Sequence, residues 1–182
     1  NRHDYALAPF SKTALDSLKD AGLDVIGVGK IPDIFVDQGI TRKIKTVSNE
    51  DGMNKTIELA SDNFNGLAFI NLVDFDAVYG HRRNAAGYGK AIEEFDVQLG
   101  ELINELKNDD LLMVTADHGN DPTYRGTDHT REQVPLIIYS KQFNEMKVLN
   151  DGDSFGIIGS TICYNFNVKY NGIGSSILEL LK

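Results

Sequence analysis

The sequence predicts an α/β protein in which a mostly parallel sheet is layered between helices, an α/β/α architecture. Three observations carry that prediction. Four short apolar runs, at 24–28, 67–73, 111–114 and 134–139, are interspersed with stretches of helical periodicity, the order expected when crossovers join parallel strands. The run at 67–73 is nearly all apolar, as in a strand covered by helices on both faces. The 182 residues, 41% hydrophobic and 25% charged, are the right size for one domain with a single core.

Taken in order, Ser11 is placed to cap a first helix through Leu18 to Ala21, with Leu15 and Leu18 on one face and Gly22 as its stop. Asp24 to Val28 reads as a buried strand ending at Gly29-Lys30. No phosphate-cradling loop is formed there, because Ile31-Pro32 follows the lysine and no glycine-rich lead-in precedes it. Residues 34–47 have no clean period, and Gly39 interrupts them. Ser48 or Asn49 caps a helix through Met53, Ile57, Leu59 and Ala60. Asn65-Gly66 turns the chain into the strand at 67–73. After a loop over 74–84, Tyr88, Ile92, Phe95, Leu99, Leu102 and Leu106 recur at spacings of three and four and mark the longest helix. Leu111 to Val114 and Val134 to Tyr139 are the remaining strands, the second near an edge because Pro135 opens it. Ser154 through Phe166 and Ser175 to Leu181 are the closing helices. No repeat, low-complexity tract or linker stands out.

The net charge of −9 argues against a nucleic-acid surface, which needs clustered Lys and Arg. No apolar run approaches membrane-spanning length. Cys163 is the single cysteine, which rules out an internal disulfide and fits a cytoplasmic location. The polar start, Asn1-Arg2-His3-Asp4-Tyr5, shows no secretory signal and does not begin with Met. Part of the negative charge is compatible with a divalent-cation site, and such cations attract phosphate.

Three of the four histidines follow strand-like runs and stand close to aspartates: Asp76 with His81, Asp117 beside His118, and His129 after Asp128. Carboxylate oxygen and imidazole nitrogen together suit zinc, manganese or iron. Any one of these aspartates is more simply a turn residue, but the set points to metal. Adjacent strand residues face opposite ways, so Asp117 and His118 share a site only if the strand has ended, as Gly119 indicates. Asp76 and His81, five apart, need a turn that folds one back toward the other. Two ligand sets point to two cations, which at about 4 Å apart can clamp the attacking and leaving oxygens of a phosphoryl transfer. Asp121, Asp128 and Glu132 are spare carboxylates, equally suited to holding the loop and Arg125 and Arg131. His3 reads as structural or surface. No Gly-x-Ser-x-Gly elbow or Cys-His pair is present, and Cys163 lies in an apolar helix. On the residues alone Lys30 is a surface lysine, though one just past a strand end, where open α/β sheets bind ligands.

Asp74-Phe75-Asp76-x-x-Tyr79-Gly80-His81-Arg82-Arg83, Thr115-Ala116-Asp117-His118-Gly119-Asn120-Asp121-Pro122-Thr123 and Gly126-Thr127-Asp128-His129-Thr130-Arg131-Glu132 resemble motifs of the phosphopentomutase family. The opening Asn1-Arg2-His3-Asp4-Tyr5-Ala6 and the Gly29-Lys30-Ile31-x-Asp33-Ile34 segment resemble it too. The resemblance implies an α/β/α core of the alkaline phosphatase superfamily with two divalent cations, usually manganese. It further implies interconversion of ribose 1-phosphate and ribose 5-phosphate, and of their 2-deoxy forms, through a phosphothreonine. On this resemblance Asp76, His81 and His129 hold one cation, Asp117 and His118 hold the second, and Lys30 binds the substrate phosphate.

The family's first strand, its nucleophilic threonine and its inserted cap domain have no match in the chain. Residues 1–182 therefore resemble the C-terminal portion of the metal-binding α/β core, and the chain alone is expected to be inactive. Self-association through an exposed sheet edge is expected if it folds by itself. The alternatives are a relative acting as a cofactor-independent phosphoglycerate mutase or phosphatase, or a non-catalytic module binding metal or sugar phosphate. The partners expected are small pentose phosphates, with no nucleic acid and no membrane.

Overall fold

The computed structural model describes residues 6–181, so His3 lies outside the described residues. The elements run α1 (Ala14–Asp20), β1 (Asp24–Val28), α2 (Ile31–Ile34), β2 (Arg42–Ile44), α3 (Asn49–Ser61), β3 (Gly66–Ile70), a π-helical turn (Phe75–Gly80), α4 (Ala85–Glu105), β4 (Leu112–Thr115), β5 (Leu136–Tyr139), α5 (Gly156–Asn165) and α6 (Leu178–Leu181). The chain divides into two compact units: Asn1–Lys45 with Asn63–Asn71 and Phe143–Lys182, and Thr46–Asp62 with Leu72–Gln142.

In the first unit β1 is central to a three-stranded parallel sheet of order β2-β1-β3, with Gly27 opposite Lys43 on one side and Phe69 on the other. Four of its five residues are buried, which is why it reads as an uninterrupted apolar run. Leu15 and Leu18 of α1 join Val25, Ile31, Ile40 and Cys163 in one core, with Leu67, Ile162 and Phe166 packed against it. The stretch without clear periodicity resolves into the single turn of α2, a turn with positive φ at Val36 and Asp37, and the short edge strand β2. Elements of four and three residues are too brief to show a period. Gly39, at φ +76°, passes so close to α1 that a Cβ would lie 2.7 Å from the Asp16 nitrogen. Lys30 is exposed at the α2 N-cap position, directly after β1.

The cap of α1 is Thr13, not Ser11. Its hydroxyl accepts from the Asp16 backbone N–H, while the Asp16 carboxylate accepts from the Thr13 backbone N–H at 2.7 Å. This reciprocal capping box needs an acidic or amide side chain three residues after the cap, which Thr13 has and Ser11 lacks. Burial pushes the Asp16 carboxyl up. Donation from the Thr13 backbone, the Gln38 amide and the Thr13 hydroxyl outweighs it, and the pKa falls below its ordinary value. A depressed folded value means that this stabilisation is present above the unfolded carboxylate pKa and is lost as pH falls through the folded one. Thr13→Ala is accordingly expected to lower stability by about 1 kcal/mol at neutral pH. Urea titrations should show that gap narrowing once Asp16 is protonated in acid.

In the second unit α3 packs along α4. Ser48 caps α3 by accepting from the Asp51 N–H, and Asn84 caps α4 by accepting from the Gly87 N–H. The strands that follow α4 depart from the parallel pattern of the first unit. β4 and β5 pair antiparallel with each other, from Leu112 opposite Tyr139 to Thr115 opposite Leu136. Apolar runs of four residues carry no information on strand direction. The antiparallel return matters to the site, because it brings both ends of the 116–135 connection to the same end of the pair.

Candidate metal centre

The site is built on the π-helical turn. Residues five apart lie about 140° from each other around an α-helix, which would point Asp76 and His81 away from one another. Here the His81 N–H bonds the Asp76 carbonyl at 2.9 Å and the Asn84 N–H bonds the Tyr79 carbonyl at 3.0 Å, both five residues back. The widened turn returns residue 81 to the face of residue 76. Phe75 anchors its start, packing against Tyr88 at 5.7 Å and edge-on to Phe95 at 6.0 Å. Asp74, just before it, exchanges two hydrogen bonds with Asn49 at the start of α3. Burial and the nearby Asp76 charge raise the Tyr88 pKa.

The 116–135 connection supplies the other groups. Gly119 and Thr130 bridge its two arms, the Thr130 N–H donating to the Gly119 carbonyl at 3.0 Å. The Asp121 N–H donates to the Thr130 hydroxyl at 2.7 Å, and that hydroxyl donates to Glu132 at 2.5 Å. The Thr123 hydroxyl and N–H bond the Asp121 carboxylate, lowering its pKa. Asp121 and Glu132 are thus engaged in holding the loop. Asp128 contributes its backbone carbonyl to Arg83.

Asp76, His81 and His129 converge. His81 Nε2 lies 3.3 Å from Asp76 Oδ2, His129 Nε2 lies 3.3 Å from Asp76 Oδ1, and the two Nε2 atoms are 3.2 Å apart. Ligands about 2.1 Å from one cation stand about 3.0 Å apart in an octahedron and about 3.4 Å apart in a tetrahedron. The two imidazole nitrogens meet different oxygens of the Asp76 carboxylate, and with one donor atom from each residue the three lie within 4.8 Å of one another, close enough to share one cation. His81 Nδ1 is 2.5 Å from the Thr127 carbonyl, which can only accept, so Nδ1 carries the proton. Nε2 is then the nitrogen turned toward Asp76 and His129, and the carbonyl behind Nδ1 is the usual support of a metal-ligating histidine. On geometry and donor chemistry these three side chains fit a divalent cation, and they are the one group of this kind among the described residues.

Asp117 and His118 follow β4 once the strand has ended at Thr115. His118 Nε2 stands 3.6 Å from Asp117 Oδ2, and its ring stacks on His129 with centroids 3.7 Å apart. They form a pair of donors rather than a group of three. An open cleft beside them is lined by Tyr88, His118, Asn120, Pro122, Glu132 and Val134. Lys30 belongs to the other compact unit.

Two further residues shape this centre. The Arg83 guanidinium donates to the carbonyls of Gly80, Asp121, Gly126 and Asp128 and to Asn120 Oδ1, at 2.5–3.0 Å. Asn120, which is buried, donates through Nδ2 to Asp76 Oδ1 at 2.6 Å. Both residues stand in the motifs quoted above, but nothing in their spacing signals these contacts.

The chain belongs to the Metalloenzyme superfamily, whose family model matches residues 1–170. Among individual relatives, it is 57% identical over 183 aligned residues to the phosphopentomutase of Agathobacter rectalis and 56% identical to that of Clostridium botulinum. Each match covers 100% of this chain and 46% of the relative. The chain therefore spans about half the length of the curated relatives it matches. No helix among the described residues is long and apolar enough to cross a membrane.

Proposed function

We propose that residues 1–182 form the C-terminal portion of the metal-binding core of a phosphopentomutase, an enzyme that interconverts ribose or deoxyribose 1-phosphate and the corresponding 5-phosphate. The observation that carries this reading is the Asp76, His81 and His129 triangle, in a chain so similar to proteins bearing that name. In this proposal the trio holds one divalent cation, manganese in the physiological case, and Asp117 with His118 contributes to a second. Such cations supply positive charge to the oxygens of a phosphoryl group in transfer. The chain's own part is to present one carboxylate and two imidazoles close enough together to share a cation. The Lys30 ammonium serves as a point charge for the substrate phosphate. The nucleophilic threonine is assigned to the part of the protein outside these residues, so the 182-residue chain alone is inactive.

The test is an assay of the full-length protein and of the 182-residue chain on ribose 1-phosphate and on 3-phosphoglycerate, with Mn²⁺ supplied. The full-length protein is expected to turn over the pentose phosphate and the chain alone to turn over neither. Activity of the isolated chain, or full-length turnover of phosphoglycerate without the pentose, contradicts the proposal.

A further inference from the structure

We propose that Asn120 is a positioning residue, held in place by Arg83, that fixes the rotation of the Asp76 carboxylate and so pre-forms the cation site. The inference rests on the reading of Asp76, His81 and His129 as cation ligands. A carboxylate turns freely about its Cβ–Cγ bond unless an oxygen is tied. Here Asn120 Nδ2 ties Oδ1, the oxygen 3.3 Å from His129 Nε2, at 2.6 Å, and this sets Oδ2 toward His81 Nε2, 3.3 Å away.

The direction of the relay is set at its far end. Arg83 can only donate, so the Asn120 atom that it meets at 2.6 Å is the carbonyl oxygen. The amide nitrogen must then face Asp76. The orientation of a buried amide is thus dictated by a guanidinium, and the orientation of a ligand by that amide. Chains of this polarity strengthen each bond in them.

Two backbone features are consistent with a placed rather than an incidental contact. Arg83 adopts φ +52°, a left-handed conformation that carries about 1 kcal/mol or more of strain in a non-glycine residue. Gly80 is buried against the same amide, and a Cβ there would lie 2.6 Å from Asn120 Nδ2 and 3.0 Å from the Phe75 carbonyl. Only glycine leaves the amide its position. Of the four remaining Arg83 contacts, one falls on Gly80, beside His81, and one on Asp128, beside His129, the others being to Asp121 and Gly126. One side chain therefore references the backbone on either side of the site.

The experiment titrates Co²⁺ into the full-length protein as wild type, Asn120→Ala, Arg83→Lys and His81→Ala. The readouts are affinity, the visible absorption of bound cobalt and the melting temperature without metal. Wild type is expected to bind with a visible band that His81→Ala alters. Asn120→Ala, which keeps the four Arg83 contacts to carbonyls, should melt near wild type. It should bind about 10–100-fold more weakly, as expected for an outer partner of a ligand, with a shifted band. Arg83→Lys, a cation without the planar fork, should move affinity and band the same way, and decides the matter if Asn120→Ala does not fold. Wild-type affinity and an unchanged band in the folded variants overturn the positioning role. So does an affinity loss that merely tracks a lowered melting temperature with the band intact. Absence of cobalt binding in wild type, or binding indifferent to His81→Ala, instead overturns the cation reading and the inference with it.

Discussion

His129→Ala is expected to remove high-affinity cation binding at the trio altogether. Three side chains from this chain make the triangle, and removing one leaves two donors, no more than Asp117 and His118 offer. The loss should exceed the roughly 10–100-fold that an outer partner contributes. His129 also bridges the groups, lying 3.2 Å from His81 Nε2 and stacked on His118. Asp76→Ala should do as much for a different reason, because it deletes the single negative charge of the set. Calorimetric titration with Mn²⁺ provides the check. The melting temperature without metal should change little for His129→Ala, whose side chain is 45% exposed, and should fall for Asp76→Ala, which takes the acceptor from the buried Asn120 amide. An unaltered Mn²⁺ affinity in both variants would show that the ion binds elsewhere.

Arg83→Ala carries the second large effect, on stability and loop order. Its guanidinium meets four backbone carbonyls and one side-chain oxygen, and no other described side chain approaches that share of the loop's hydrogen bonds. Bonds to a charged donor are each worth about 1.5–3 kcal/mol where water cannot replace them. Arg83 is partly exposed, so water takes up some acceptors, and the net destabilisation is expected at about 2–4 kcal/mol. Hydrogen exchange should localise the change, with protection falling at the Thr130 N–H, which bonds the Gly119 carbonyl, and not across β1. Unchanged protection in the 116–135 connection would assign the loop's order to the Gly119–Thr130 bridge and the Asp121–Thr123 turn instead.

Much of this architecture is legible in the sequence because it follows from periodicity. The β1 run is apolar at consecutive positions since both of its faces are buried, and the three- and four-residue spacing over 88–106 matches α4. The α3 start at Ser48 is readable from its hydroxyl three residues before Asp51. The direction of β5 is not readable, because a four-residue apolar strand looks alike in parallel and antiparallel pairing. Nor is the α1 boundary, where Ser11 and Thr13 are both capping residues and only the reciprocal bond to Asp16 distinguishes them.

The candidate site divides in the same way. Asp76, His81, Asp117, His118 and His129 all stand out because carboxylate and imidazole near strand ends are conspicuous residue types, but that Asp76, His81 and His129 form one set is implied by the family resemblance and not by residue type. The five-residue spacing of the first two shows that the chain must fold back, but not that a π-helical turn does it. Arg83 and Asn120 carry no such signal. Arg83 reaches the carbonyls of Asp121, Gly126 and Asp128, about 40 positions away, and Asn120 bonds the side chains of Arg83 and Asp76 at similar separation. These contacts are set by the path of the loop rather than by any local pattern.

Anomalous diffraction from crystals of the protein grown with Mn²⁺ tests the cation assignment most directly. The predicted result is a peak enclosed by an Asp76 carboxylate oxygen and the Nε2 atoms of His81 and His129, with the His81 Nδ1 contact to Thr127 retained. A peak at any other group of residues with this triangle empty, or no peak at saturating Mn²⁺, would contradict it.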